Sequence, residues 1–71
     1  MKRSRTRYPR IKKGDRVINS QKYLFKDLDF NNYYGQEGIV EDVDMNNHEI
    51  TVYYPYYNQA VTQSIKDFEL V

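Results

Sequence analysis

Glu49-Ile50-Thr51-Val52-Tyr53-Tyr54-Pro55 is the stretch on which the fold turns. It is rich in β-branched and aromatic side chains, which suit a pleated, half-buried surface. Its apolar residues alternate, with Ile50, Val52 and Tyr54 on one face and Thr51 and Tyr53 on the other. That is the period of a strand with one buried side. Pro55 has no amide hydrogen for a ladder and closes the run.

Working outward, Asp44 to His48 reads as the connection of a hairpin, in which Asn46 and Asn47 tolerate the left-handed conformation that tight turns need. Ile39 to Val43 is then a preceding strand, entered through a turn at Gly35-Gln36-Glu37-Gly38. Downstream, Tyr56-Tyr57-Asn58 forms a second hairpin tip and Gln59 to Ser64 a strand with Val61 inward. Ile65-Lys66-Asp67 suits a single 3-10 turn before a short last strand, Phe68 to Val71. At the front, Lys13-Gly14-Asp15 is a turn and Arg16-Val17-Ile18 a first strand. Five short strands punctuated this way predict an all-β fold, a small five-stranded barrel over residues 11–71. The expected core is Val17, Val40, Val43, Ile50, Val52, Val61, Ile65, Phe68 and Leu70.

Residues 20–36 form a long connection that carries Leu24, Phe25, Leu28 and Phe30, with room for one helical turn at Asp27 to Phe30. A connection of this length is expected to be functional or packed on itself.

With 71 residues the chain is one domain with a thin core. It has no cysteine, so neither a disulfide nor a thiolate metal site is available. No apolar run approaches the roughly 18 residues of a membrane span. The basic N-terminus is not followed by the apolar stretch of a secretory signal. The expectation is a soluble, cytoplasmic protein without a membrane partner.

The net charge of +1 conceals a split. Residues 1–13 hold seven cations and no acid: Lys2, Arg3, Arg5, Arg7, Arg10, Lys12 and Lys13. Residues 14–71 hold four cations against ten acids, a net of −6. Residues 1–10 have no hydrophobic period and dense like charge, so a disordered basic arm is expected ahead of the domain.

Two strings carry a family likeness: Lys13-Gly14-Asp15-Arg16-Val17-Ile18, and Gly35-Gln36-Glu37-Gly38-Ile39-Val40-Glu41-Asp42-Val43-Asp44. Together they resemble the opening of KOW and other SH3-like barrels. The ending Ile65-Lys66-Asp67-Phe68-Glu69-Leu70-Val71 resembles their short turn and closing strand. In KOW segments the first strand runs almost directly into the glycine turn. Here an insertion intervenes, which resembles the longer first loop of SH3-like barrels. The layout is also similar to small phage-encoded SH3-like proteins of the YorP kind. The resemblance implies a viral accessory protein living in a host cytoplasm and brings no settled activity.

Nothing in the chain assembles a catalytic set. The one histidine, His48, falls in a hairpin turn, and no nucleophile elbow accompanies it. Gly35 and Gly38 are not followed by the Lys-Ser/Thr of a phosphate loop. Glu41, Asp42, Asp44, His48 and Glu49 lack the spacing of a calcium loop and read as a solvated face. We therefore expect no enzyme, no cofactor and no metal.

Binding is the expected role. The foremost candidate partner is a protein, met by aromatic residues of the long loop (Tyr23, Phe25, Tyr33, Tyr34) and others near the third and fourth strands (Tyr53, Tyr56, Tyr57). Asp27, Asp29, Glu41, Asp42 and Asp44 would rim that surface, which suits a basic or proline-containing segment. The runner-up is nucleic acid, held by the seven cations of residues 1–13 with tyrosines stacking on bases. A third idea is that the acidic body imitates nucleic acid. The chain is expected to be a monomer or a weak dimer paired through its short last strand.

Overall fold

The computed structural model describes residues 10–23 and 31–71. Five strands follow in order: β1 (Arg16–Asn19), β2 (Glu37–Asp44), β3 (Glu49–Tyr54), β4 (Gln59–Ser64) and β5 (Phe68–Leu70), with a 3-10 turn at Ile65–Asp67. They form one antiparallel sheet in the order β4-β3-β2-β1-β5. The described residues contain no helix long and apolar enough to cross a membrane. The expected arm lies outside the described residues except for Arg10, which is exposed. The helical turn expected at Asp27 to Phe30 also lies outside them.

β2 is the hinge of the sheet. Its first half pairs with β1 (Val17 opposite Gly38) while residues 39–44 run beside β3. Val40 pairs with Val52, but the next pair is Asp42 with Thr51, so Glu41 is an extra residue in a β-bulge. A strand alternates faces with period two, so one extra residue reverses the parity beyond it. Without the bulge Asp42 would follow Val40 into the core. With it, Val43 faces inward opposite Ile50 and Asp42 is exposed.

The core comprises Ile11, Val17, Val40, Ile50, Val52, Tyr54, Ile65 and Phe68, all buried. Burial of each larger aliphatic or aromatic side chain contributes about 1.5–3 kcal/mol. Val43 and Val61 pack against this cluster only half-buried. Leu70, expected inside, is 48% exposed. It sits opposite Val17 on the right face, but β5 is the outermost strand there and no further strand among the described residues flanks it.

Two glycines divide the work read from their pairing in sequence. Gly35 is the turn residue, at φ 81°, a conformation that costs other residues. Gly38 is not in the turn at all but inside β2. The left-handed position of the first hairpin also differs from expectation, falling on His48 (φ 55°), the last residue of the turn, rather than on Asn46 and Asn47. In the second hairpin it falls on Asn58 (φ 53°). Asp44 instead organises the first turn, accepting from the amides of Asn46 (3.0 Å) and Asn47 (3.2 Å) and from Asn47 Nδ2 (2.9 Å). The Asn47 side-chain bond, foremost among these, holds the Asp44 carboxyl below its ordinary pKa.

Candidate functional site

The site begins with two buried asparagines. Asn19 lies on β1 with the same parity as Val17, so it points into the core. Its Nδ2 donates to the Tyr54 hydroxyl (3.1 Å), and its Oδ1 accepts from Asn31 Nδ2 (2.9 Å) and the Gln21 amide (2.9 Å). Asn31 Nδ2 also donates to the Gln21 carbonyl, and Asn31 Oδ1 accepts from the Tyr33 amide (3.0 Å). The Tyr54 hydroxyl donates onward to Gln63 Oε1 at 2.6 Å. Every polar atom of the two asparagine carboxamides is therefore engaged, which is the condition for burying them without loss. The network pins both ends of the long β1–β2 connection to the sheet.

Burial pushes the Tyr54 phenol up to about 12, against the opposing bond from Asn19. The unfolded phenol ionises near 10, so between those values the unfolded chain releases a proton that the folded chain keeps. Stability contributed by this group is whole below pH about 10 and is lost as pH rises toward about 12. Urea unfolding followed at pH 8, 10 and 11 should show this decline, and Tyr54→Phe should flatten it. An unchanged slope in that variant would remove Tyr54 from the account.

From this base the rings run outward as a chain. The turn at residues 32–35 aims Tyr33 at Tyr54, stacked at 4.6 Å between centroids and 27° between planes. Tyr33 meets Tyr57 edge-on at 5.2 Å, and Tyr57 meets Tyr56 edge-on at 5.0 Å. These are favoured aromatic geometries, worth about 0.5–1.5 kcal/mol each beyond area. The Tyr57 hydroxyl donates to the Asn32 carbonyl (2.9 Å) and the Tyr33 hydroxyl to Gln59 Oε1 (3.3 Å). The loop end and the β3–β4 hairpin tip are thus one surface. Exposure along it rises from Tyr54, fully buried, to Tyr56 at 76%.

Of the aromatic residues singled out in the sequence, Tyr33, Tyr56 and Tyr57 come together here, and half-exposed Tyr34 adjoins them in the chain. Tyr53 does not join them. It projects from the opposite face of β3, and its hydroxyl donates to Asn58 Oδ1. Tyr23 is exposed, with Lys22 Nζ 5.7 Å from its ring centre. Phe25 lies outside the described residues, as do Asp27 and Asp29. Asp42 and Asp44 do not rim the rings, since Asp42 stands opposite Thr51, on the face of the sheet away from Tyr54. Asp44 pairs with Glu49 at one end of β3 and the rings gather beyond Tyr54 at the other, roughly 17 Å away by strand rise.

Of the cations, Arg10, Lys12 and Lys13 are exposed on the segment leading into β1. Lys12 Nζ stands 3.7 Å from Asp15 Oδ1. Lys2, Arg3, Arg5 and Arg7 lie outside the described residues. Sequence reasoning overlooked Asn19, Asn31 and the Tyr54 hydroxyl. The parity of β1 was the available signal, because it turns Asn19 inward beside Val17.

Compared with protein-family models, with curated proteins and with solved structures, the chain matches none.

Proposed function

We propose that the chain is a non-catalytic binding module of the SH3-like barrel class, which grips an extended, proline-containing segment of another protein with Tyr33, Tyr56 and Tyr57. The strand order β4-β3-β2-β1-β5, the bulged β2 shared along the sheet and the single 3-10 turn before β5 support the class. The graded chain of rings carries the function. Its inner members are fixed by stacking and hydroxyl bonds, while Tyr56 projects into solvent. A rigid aromatic surface loses little entropy on binding, and extended proline segments dock on such surfaces. The placement of Asp42 on the other face of the sheet and of Asp44 at the far end of β3 favours a proline-containing ligand over a basic one.

An NMR titration of the full chain with a decaproline peptide tests this. Shift changes should concentrate at residues 31–35 and 55–59. Tyr56→Ala should lose at least tenfold in affinity, because exposed aromatic anchors dominate such contacts. Its stability should fall by no more than about 1 kcal/mol, since Tyr56 is mostly exposed and meets Tyr57 only edge-on. Shifts elsewhere, or binding indifferent to Tyr56→Ala, would overturn the proposal.

Exposed Arg10, Lys12 and Lys13, continuous with the cations before them, favour nucleic acid as the second reading. Anisotropy with labelled single- and double-stranded oligonucleotides at two salt concentrations separates it from the first. Phosphate contacts give a salt slope of about 0.9 each on duplex DNA. Glutamine at Lys2, Arg3, Arg5, Arg7 and Arg10 should abolish such binding. Binding that survives those changes, or no binding at low salt, counts against this reading.

A further inference from the structure

We propose that β4 is a self-association edge, on which a second copy of this chain adds its own β4 antiparallel about an axis through Val61. This stands apart from the aromatic reading and uses a different surface.

β4 is the outer strand on its side of the sheet. Natural edges are blunted by brevity, charge, proline or a bulge. β5, at the other side, is three residues long and carries Glu69. β4 has six residues, Gln-Ala-Val-Thr-Gln-Ser, with neither charge nor proline, and pairs with β3 in unbroken register. The outward hydrogen-bonding groups follow from one bond. The Ile65 amide donates to the His48 carbonyl at 2.9 Å, so the bonded pairs recur at every second residue along β3 and β4. Val61 and Gln63 therefore spend their backbone groups on β3, while Ala60 and Thr62 direct theirs to the open edge.

The side chains suit a two-fold axis. Gln59-Ala60-Val61-Thr62-Gln63 reads nearly alike from either end. With the axis at Val61, each Ala60 exchanges its backbone bonds with the second copy's Thr62. The two Val61 residues become a close, non-bonded pair. Val61 is half-buried, against the core on one side, and its mate would cover the rest. Gln59 falls opposite the second copy's Gln63. Their carbonyls already accept from the Tyr33 and Tyr54 hydroxyls (3.3 and 2.6 Å), which leaves the amide hydrogens for the other copy. The seam itself is uncharged, so pairing two β4 strands sets no like charges against one another. The contact is isologous and closed, so it stops at two copies.

Sedimentation velocity of the full chain should move from monomer to dimer between about 10 µM and 1 mM, as suits a small interface. In a sample mixing isotopically labelled and unlabelled chains, Val61 methyls should show a contact between copies. Ala60→Pro removes an outward amide that β3 does not use, so the variant should keep the native amide spectrum and stay monomeric. Ala60→Lys retains the amide and adds charge, and it should raise the dissociation constant at least tenfold, more at low salt. A chain still monomeric at the highest concentration, or a dimer that neither variant weakens, would overturn the proposal.

Discussion

Gly38→Ala should lower the stability of the protein by about 1–3 kcal/mol, although alanine suits a strand better than glycine does. Gly38 lies in β2 opposite Val17, and its missing side chain is what lets Val52 fill the core there. A Cβ at this position would collide with Val52 Cγ1 and lie 2.6 Å from the Tyr53 carbonyl oxygen. Val52 is fully buried and stiff at χ1, and the carbonyl belongs to the backbone of β3, so neither neighbour yields easily. The gain from a less flexible unfolded chain is at most about 1 kcal/mol and does not offset the collision. A chain of 71 residues holds roughly 4–10 kcal/mol in all, so this loss is a large share. Urea unfolding of Gly38→Ala beside Gly35→Ala checks the reasoning. Gly35 has open space around its missing Cβ and should suffer only from its positive φ. A Gly38 variant as stable as the natural chain would mean that β2 and β3 move apart freely.

Asn19→Leu should cost about 2–3 kcal/mol, an unusual result for a polar residue replaced by an apolar one of similar size at a buried site. The leucine fills the space, but the Tyr54 hydroxyl loses its donor and the Gln21 amide its acceptor, and Asn31 keeps only part of its bonding. The damage should be directional. Amide exchange should quicken at residues 20–23 and 31–36 far more than along β3, because the asparagine pair anchors the loop rather than the sheet. A double-mutant cycle of Asn19→Leu with Tyr54→Phe should return a coupling of about 0.5–3 kcal/mol. Additive losses would mean that the two side chains meet without depending on one another.

The strands were legible wherever one local rule sufficed. Ile50, Val52 and Tyr54 announced β3 by alternation alone, and Pro55 its end. The bulge was half legible. Val40 and Val43 are three apart, which a regular strand places on opposite faces, and only an extra residue brings both inward. Gly38 and Leu70 were misread because their surroundings come from distant residues. Val52 occupies the space beside Gly38, and the end of the sheet leaves Leu70 uncovered. The ring chain was visible as a list of tyrosines but not as a geometry. Its membership depends on which face of β3 each residue takes, and on a loop end fixed by Asn19 and Asn31 from elsewhere in the chain. The separation of the acids from the rings likewise follows from strand direction and not from composition.

The stacked contact of Tyr33 on Tyr54 also makes the molecule its own optical reporter. The chain has no tryptophan, so its eight tyrosines dominate its near-ultraviolet absorption and fluorescence, to which the three phenylalanines add only weakly. Among the described rings, this pair lies face to face at 4.6 Å, close enough for the transitions of the two chromophores to couple. One partner belongs to a strand and the other to the end of the long connection. The chiral signal of that pair therefore follows the seating of the loop on the sheet, a step that the backbone signal of the strands does not register.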